Sequence, residues 1–176
     1  MKDNAHEIAA TWWRGLQPSG EGGGGDRGAL ARLRRAPGIT ALMGLPETIG
    51  LFRRLGGATP HDLPRVALVA GVLSHLREEP SGREGCARLL GPDSPEKPET
   101  ALMSPLRFRR LTEADTEDER LLAFRRMVAL ARGALPARDL AAALLFWGPS
   151  LRQRWIYDYW GAGQPAPLMP NGQDTP

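Results

Sequence analysis

Apolar residues recur every three to four positions along most of this chain, and the two-residue alternation of a strand is scarce. That spacing restricts the fold to packed helices, because each apolar stripe must find another stripe to cover it. TEDERLLAFRRMVALARG, residues 116–133, is the clearest case. Thr116 stands ready to cap, Glu117 to Glu119 sit at the positive end of the helix dipole, and Gly133 closes the segment. Leu121, Phe124, Val128 and Ala131 line one face, while Arg125 and Arg126 lie off it. PARDLAAALLFWG, residues 136–148, starts with proline and is apolar nearly all round, which predicts the central helix of a bundle. Helices are also expected over 4–17 (Ile8, Trp12 and Leu16 on one face), 26–36, 46–55, 62–78, 83–90 and 151–160. In 62–78 the stripe is Val66, Val69, Ala70, Leu73 and Leu76. LRFRRL, 106–111, alternates apolar and basic residues, so its helical state is less firmly set.

Two breaks punctuate the pattern. PSGEGGGG, 18–25, has no GK[ST] after it, so it predicts a flexible linker and not a phosphate-binding loop. GPDSPEKPET, 91–100, holds three prolines and no large apolar residue. The expected architecture is therefore all-α: an N-terminal helical bundle (1–90), a Pro-rich linker (91–101), a C-terminal helical bundle (102–161) and a disordered tail (162–176). No stretch approaches the roughly 20 apolar residues of a membrane span, and MKDNAHEIAA does not read as a signal peptide. With a single cysteine, Cys86, and no internal disulfide, the expected setting is cytoplasmic.

Catalytic patterns are absent. His6, His61 and His75 lie far apart without metal-ligand spacing, and no serine sits in a G-x-S-x-G turn. The acidic run EADTEDE, 113–119, is explained by its place at a helix start. The chain is expected to be no enzyme and to take no metal or cofactor.

Arginine is what remains. Of 23 basic residues only Lys2 and Lys97 are lysine, and the formal net charge is +3. Arginine forks match phosphates, although a solvated face or a GC-rich codon bias also yields many arginines. Placement is the sharper signal. DRGALARLRRA, 26–36, sets Leu30 and Leu33 on one side and Arg27, Arg32, Arg34 and Arg35 on the opposite arc. Further pairs stand at Arg53–Arg54, Arg109–Arg110 and Arg125–Arg126. Arginines displayed from several helices suit the backbone of a nucleic acid, and no base-reading motif accompanies them. Two other readings stay open: a stand-alone helical DNA-binding regulator, and an interaction bundle whose arginines meet acidic protein partners.

The order of motifs is more specific than any one of them: WWRGL, then D-R-G-A-x-A-x-L-R-R, RFRRL, L-x-x-F-R-R, DLAAALLFWG and a last aromatic helix. Over roughly 8–55 and 102–160 the chain resembles the CasB family, the small subunit of the type I-E CRISPR surveillance complex Cascade. The resemblance implies two helical bundles and a non-catalytic protein present in two copies. Its implied partners are the other Cascade subunits, the guide-RNA assembly and target DNA, with no membrane. Its implied work is to hold the target and displaced strands of the R-loop. The family's basic contacts carry over onto Arg34, Arg35, Arg107, Arg110, Arg125, Arg126 and Arg152, with Arg27, Arg32, Arg109 and Arg154 extending the same surfaces. Trp13 and Trp147 match aromatic positions expected in the core. The glycine insert at 20–25 and the tail at 161–176 depart from the family pattern.

Overall fold

A computed structural model of the chain describes residues 1–18 and 25–163. The glycine run expected as a linker lies, apart from its ends, outside the described residues, as does the tail from 164 onward. The described chain is helical: α1 (Ala5–Leu16), α2 (Arg27–Arg35), α3 (Ile39–Met43), α4 (Pro46–Arg54), α5 (Leu63–Leu73), α6 (Cys86–Leu90), α7 (Pro105–Glu113), α8 (Glu117–Leu130), α9 (Ala137–Leu145) and α10 (Pro149–Tyr159). Among the described residues there is no strand, only an isolated bridge between Glu78 and Ala134.

The caps follow the sequence. Asp26 Oδ1 accepts from the Ala29 N–H at 2.7 Å, and Thr116 with Glu119 forms a reciprocal capping box at the start of α8. Three other helix starts borrow carboxylates from distant parts of the chain. Asp118 accepts from Ile39 N at 2.9 Å, Asp139 from Cys86 N at 2.7 Å, and Glu79 from Ala137 N at 3.2 Å. Each satisfies an orphan donor of α3, α6 or α9, so these caps also tie tertiary neighbours together.

α5 is the centre: every residue from Val66 to Leu73 is buried. It packs against α3, α4, α8 and α9. Gly71 permits the close approach, since a Cβ there would come within 2.5 Å of Leu42 and 3.0 Å of Leu121. α1 packs along α9, burying Trp12 and Trp13, so the apolar helix 137–145 is a second internal layer.

The boundary expected at 91–101 does not break the core. One contiguous apolar cluster runs from Ala5 in α1 to Tyr159 in α10 and includes helices from both sides. The chain re-enters it through the Met103 N–H, which donates to the Leu90 carbonyl at 3.0 Å. The Tyr159 hydroxyl donates to the Met103 carbonyl at 2.6 Å, and its ring stacks on Phe108 with centroids 4.0 Å apart. LRFRRL is helical after all, because Phe108 and Leu111 face inward at helical spacing while Leu106 stays exposed.

Candidate nucleic-acid interface

Charge gathers where three helices end together. Arg34, in the last turn of α2, donates its Nε to the Ser74 carbonyl at the end of α5, 2.6 Å away. Beneath it lies Arg125 of α8, half-buried. Its Nη1 donates to Ala36 O at 2.9 Å, its Nη2 to Leu33 O at 3.0 Å, and its Nε to Gly71 O at 3.3 Å. The first two acceptors are carbonyls at the C-terminus of α2, which the helix itself cannot satisfy. Asp118, in the first turn of the same helix, holds the start of α3, so α8 clamps the turn between α2 and α3 at both ends. Sequence spacing puts Arg125 off the apolar stripe and suggests a dispensable surface charge. The structure corrects this: its guanidinium is a fastening under α2, and three of its donors point into the protein.

Positive charges crowd this end, with the acids Glu78 and Asp118 at its edges. Burial and the neighbouring Arg77 lower the pKa of Arg34, and burial lowers that of Arg125. His75 is pushed down to about 4 by burial and by the charges of Arg125 and Arg34, so it is neutral at physiological pH. Arg77 arches over Gly133, its backbone N–H donating to the Gly133 carbonyl at 3.0 Å, which brings it beside Arg132 at the end of α8. Arg34, Arg35, Arg77 and Arg132 are all exposed, and none joins an ion pair among the described residues. Arg77 and Arg132 escape a reading of the sequence because neither belongs to an arginine pair. Their position at helix ends, where the negative end of the dipole favours cations, is the signal that marks them.

The remaining arginines do not join this cluster. Arg32 pairs with the mostly buried Glu47, bracing α2 against α4. Arg109 and Arg154 make exposed pairs within their own helices, with Glu113 at 3.7 Å and Asp158 at 3.6 Å. Arg152 reaches Asp115 at 3.2 Å and lies over the Trp147 ring, which packs edge-on against Phe124 and Trp155. Arg107, Arg110 and Arg126 line a separate groove of about 780 Å³ between α7 and α8. Arg27 is exposed at the start of α2 without an ion pair among the described residues. Apart from Arg27, the expected positions thus divide into fastenings, paired surface charges and two distinct basic sites.

A profile of the CRISPR-associated protein Cse2 matches residues 29–160. The chain belongs to the Cse2 family. This family assignment runs from within α2 to the end of α10 and so contains both basic sites. The fold of this Cse2-family chain is similar to that of a chain in the crystal structure of E. coli Cascade bound to a PAM-containing double-stranded DNA target. The TM-score is 0.63 with 19% identity, covering 90% of this chain and 97% of that one. No curated protein sequence matches significantly. Among the described residues of this Cse2-family chain no helix is long and apolar enough to cross a membrane. No three His, Cys, Asp or Glu side chains among them form a metal-sized group.

Proposed function

We infer that this chain is the small subunit of a type I-E Cascade. In this reading it acts in the cytoplasm as a non-catalytic binding protein, and its basic end holds nucleic-acid backbone and so stabilises the R-loop. The family assignment supports the placement. One observation carries the rest: Arg34, Arg35, Arg77 and Arg132 are exposed together at three helix ends, without a pairing acid among the described residues. Like charges held together repel, and a phosphate chain relieves that repulsion while releasing counterions. The arginines reach outward from rigid helix ends and no base-reading element accompanies them, which suits contact that does not depend on sequence. R-loop formation is nearly balanced, because an RNA–DNA heteroduplex is about as stable as the duplex it replaces. A modest grip on a freed strand therefore shifts the outcome.

The test is the Arg35, Arg77, Arg132→Ala variant, assembled with the other Cascade subunits and guide RNA. We expect normal incorporation, weaker capture of target duplex, and a salt slope lower by about one unit for each phosphate no longer gripped. Normal incorporation with undiminished duplex capture overturns the strand-holding role.

A further inference from the structure

The groove between α7 and α8 has a different character from the basic end. Its floor is aliphatic, built from Met103, Leu111, Leu122 and Leu130, and Leu122 is 52% exposed in the middle of it. Arg107 and Arg110 rise from the α7 wall and Arg126 from the α8 wall, with no ion pair to any of them among the described residues. Glu113 and Glu119 line the same groove on either side of the turn that joins the helices. Arg107 lies six residues back from Glu113, and Arg126 seven residues on from Glu119, about 10 Å along each helix axis at 1.5 Å per residue. The groove's acids therefore lie beside the turn, while its arginines run from Arg110, three residues from Glu113, out to Arg107 and Arg126.

Three features disfavour a nucleic-acid strand here. No aromatic ring lines the floor to stack a base. Exposed aliphatic surface gains little from a phosphate chain and much from apolar side chains. Glu119 is tethered beside the turn, because its carboxylate accepts from the N–H groups of Asp115 and Thr116, both at 3.0 Å, and these bonds favour its ionised form. A tethered negative charge in the channel repels phosphates.

We propose that the α7–α8 groove is a protein-docking site that receives an amphipathic helix of a neighbouring subunit. That helix presents an apolar ridge to Leu111, Leu122 and Leu130 and carboxylates to Arg107, Arg110 and Arg126. The two-ended charge sets its direction, with its acidic end away from the 114–116 turn. The inference rests on the Cascade reading above, since it needs neighbours. It divides the arginines of this chain into one set for phosphate and another for protein.

Two variants of the full chain test it, each assembled with the other Cascade subunits, guide RNA and target duplex. Leu122→Glu places a charge at an exposed position, so helix content and thermal midpoint stay unchanged while incorporation falls at least tenfold. Incorporation equal to the unsubstituted chain overturns the proposal. Arg126→Cys, labelled on the isolated protein with a benzophenone maleimide, reports what occupies the groove, since Cys86 is fully buried and resists labelling. A protease-sensitive, nuclease-resistant adduct supports a protein helix. A nuclease-sensitive adduct, or no adduct beyond that from a label at exposed Arg54→Cys, overturns it. If the unsubstituted chain itself fails to enter the complex, the Cascade reading fails, which is a distinct result from an assembled variant that ignores the groove.

Discussion

The basic end and the α7–α8 groove carry nearly the same number of free arginines on very different ground. At the basic end the Arg34 guanidinium stands over the Ser74 carbonyl at the end of α5, the half-buried Arg125 holds the last carbonyls of α2, and the Arg77 backbone N–H meets the Gly133 carbonyl just past α8. In the groove the guanidiniums frame leucine and methionine. An arginine over carbonyls and dipole ends adds to a local positive field that favours an anion. An arginine beside aliphatic side chains frames a surface that only another apolar surface can cover. Residue type alone does not separate these jobs; what lies under the side chain does.

Arg125 and Arg126 are neighbours in sequence that belong to opposite sides of this comparison, so they give its largest expected effect. Arg125→Ala strands carbonyls at the end of α2 and should cost about 3 kcal/mol in a denaturant titration. Arg126→Ala should stay within about 0.5 kcal/mol, as an exposed substitution does. Equal effects from the two would erase the distinction. Asp118→Ala comes next: it frees the Ile39 N–H at the other end of the clamp and should cost about 1 kcal/mol, as loss of a cap does. Were it silent, the turn between α2 and α3 would be held by Arg125 alone.

The last effect is one of pH. His75 titrates at about 4 in the folded chain, below its ordinary 6.5, because it is buried beside Arg125 and Arg34. The unfolded chain therefore takes up a proton that the native chain refuses. The stability linked to His75 is complete above pH 6.5 and falls as pH drops from there toward 4. Glu79 and Glu119, held ionised by their partners, lose stability in the same direction but at lower pH. The denaturation midpoint of His75→Gln should therefore change less between about pH 7 and pH 5 than that of the unsubstituted chain. An unchanged difference would mean that the basic end does not hold this imidazole neutral.

The all-helical architecture could be read from spacing and caps, because both are local. The Thr116–Glu119 box sets the start of α8 in four residues, and Asp26 does the same for α2. α3 is invisible to such a reading because five residues, ITALM, are too few to show a period and its cap comes from Asp118, far along the chain. The continuity of the core was hidden for a related reason. GPDSPEKPET looks like a boundary, yet Leu90 and Met103 on either side of it join through a backbone hydrogen bond that no periodicity announces. At the site, the exposed pairs revealed that arginine mattered without revealing which residues were free. Whether a charge reaches solvent or a carbonyl depends on a neighbour such as Leu33 or Ser74, and that neighbour is fixed only by the tertiary fold.

The packing of α1 against α9 bears on how the protein is made. Trp12 and Trp13 leave a ribosome well before the helix against which α1 mainly packs, which begins at Ala137. At about 5–20 residues per second, several seconds of synthesis separate the two. Throughout that interval the first helix lacks its main packing partner, and α5 waits for both α8 and α9. Closure over so long a separation also slows the final folding step. A nascent chain of this kind is a natural client for holding factors, and a fragment stopped at residue 90 would present the same unfinished surface permanently.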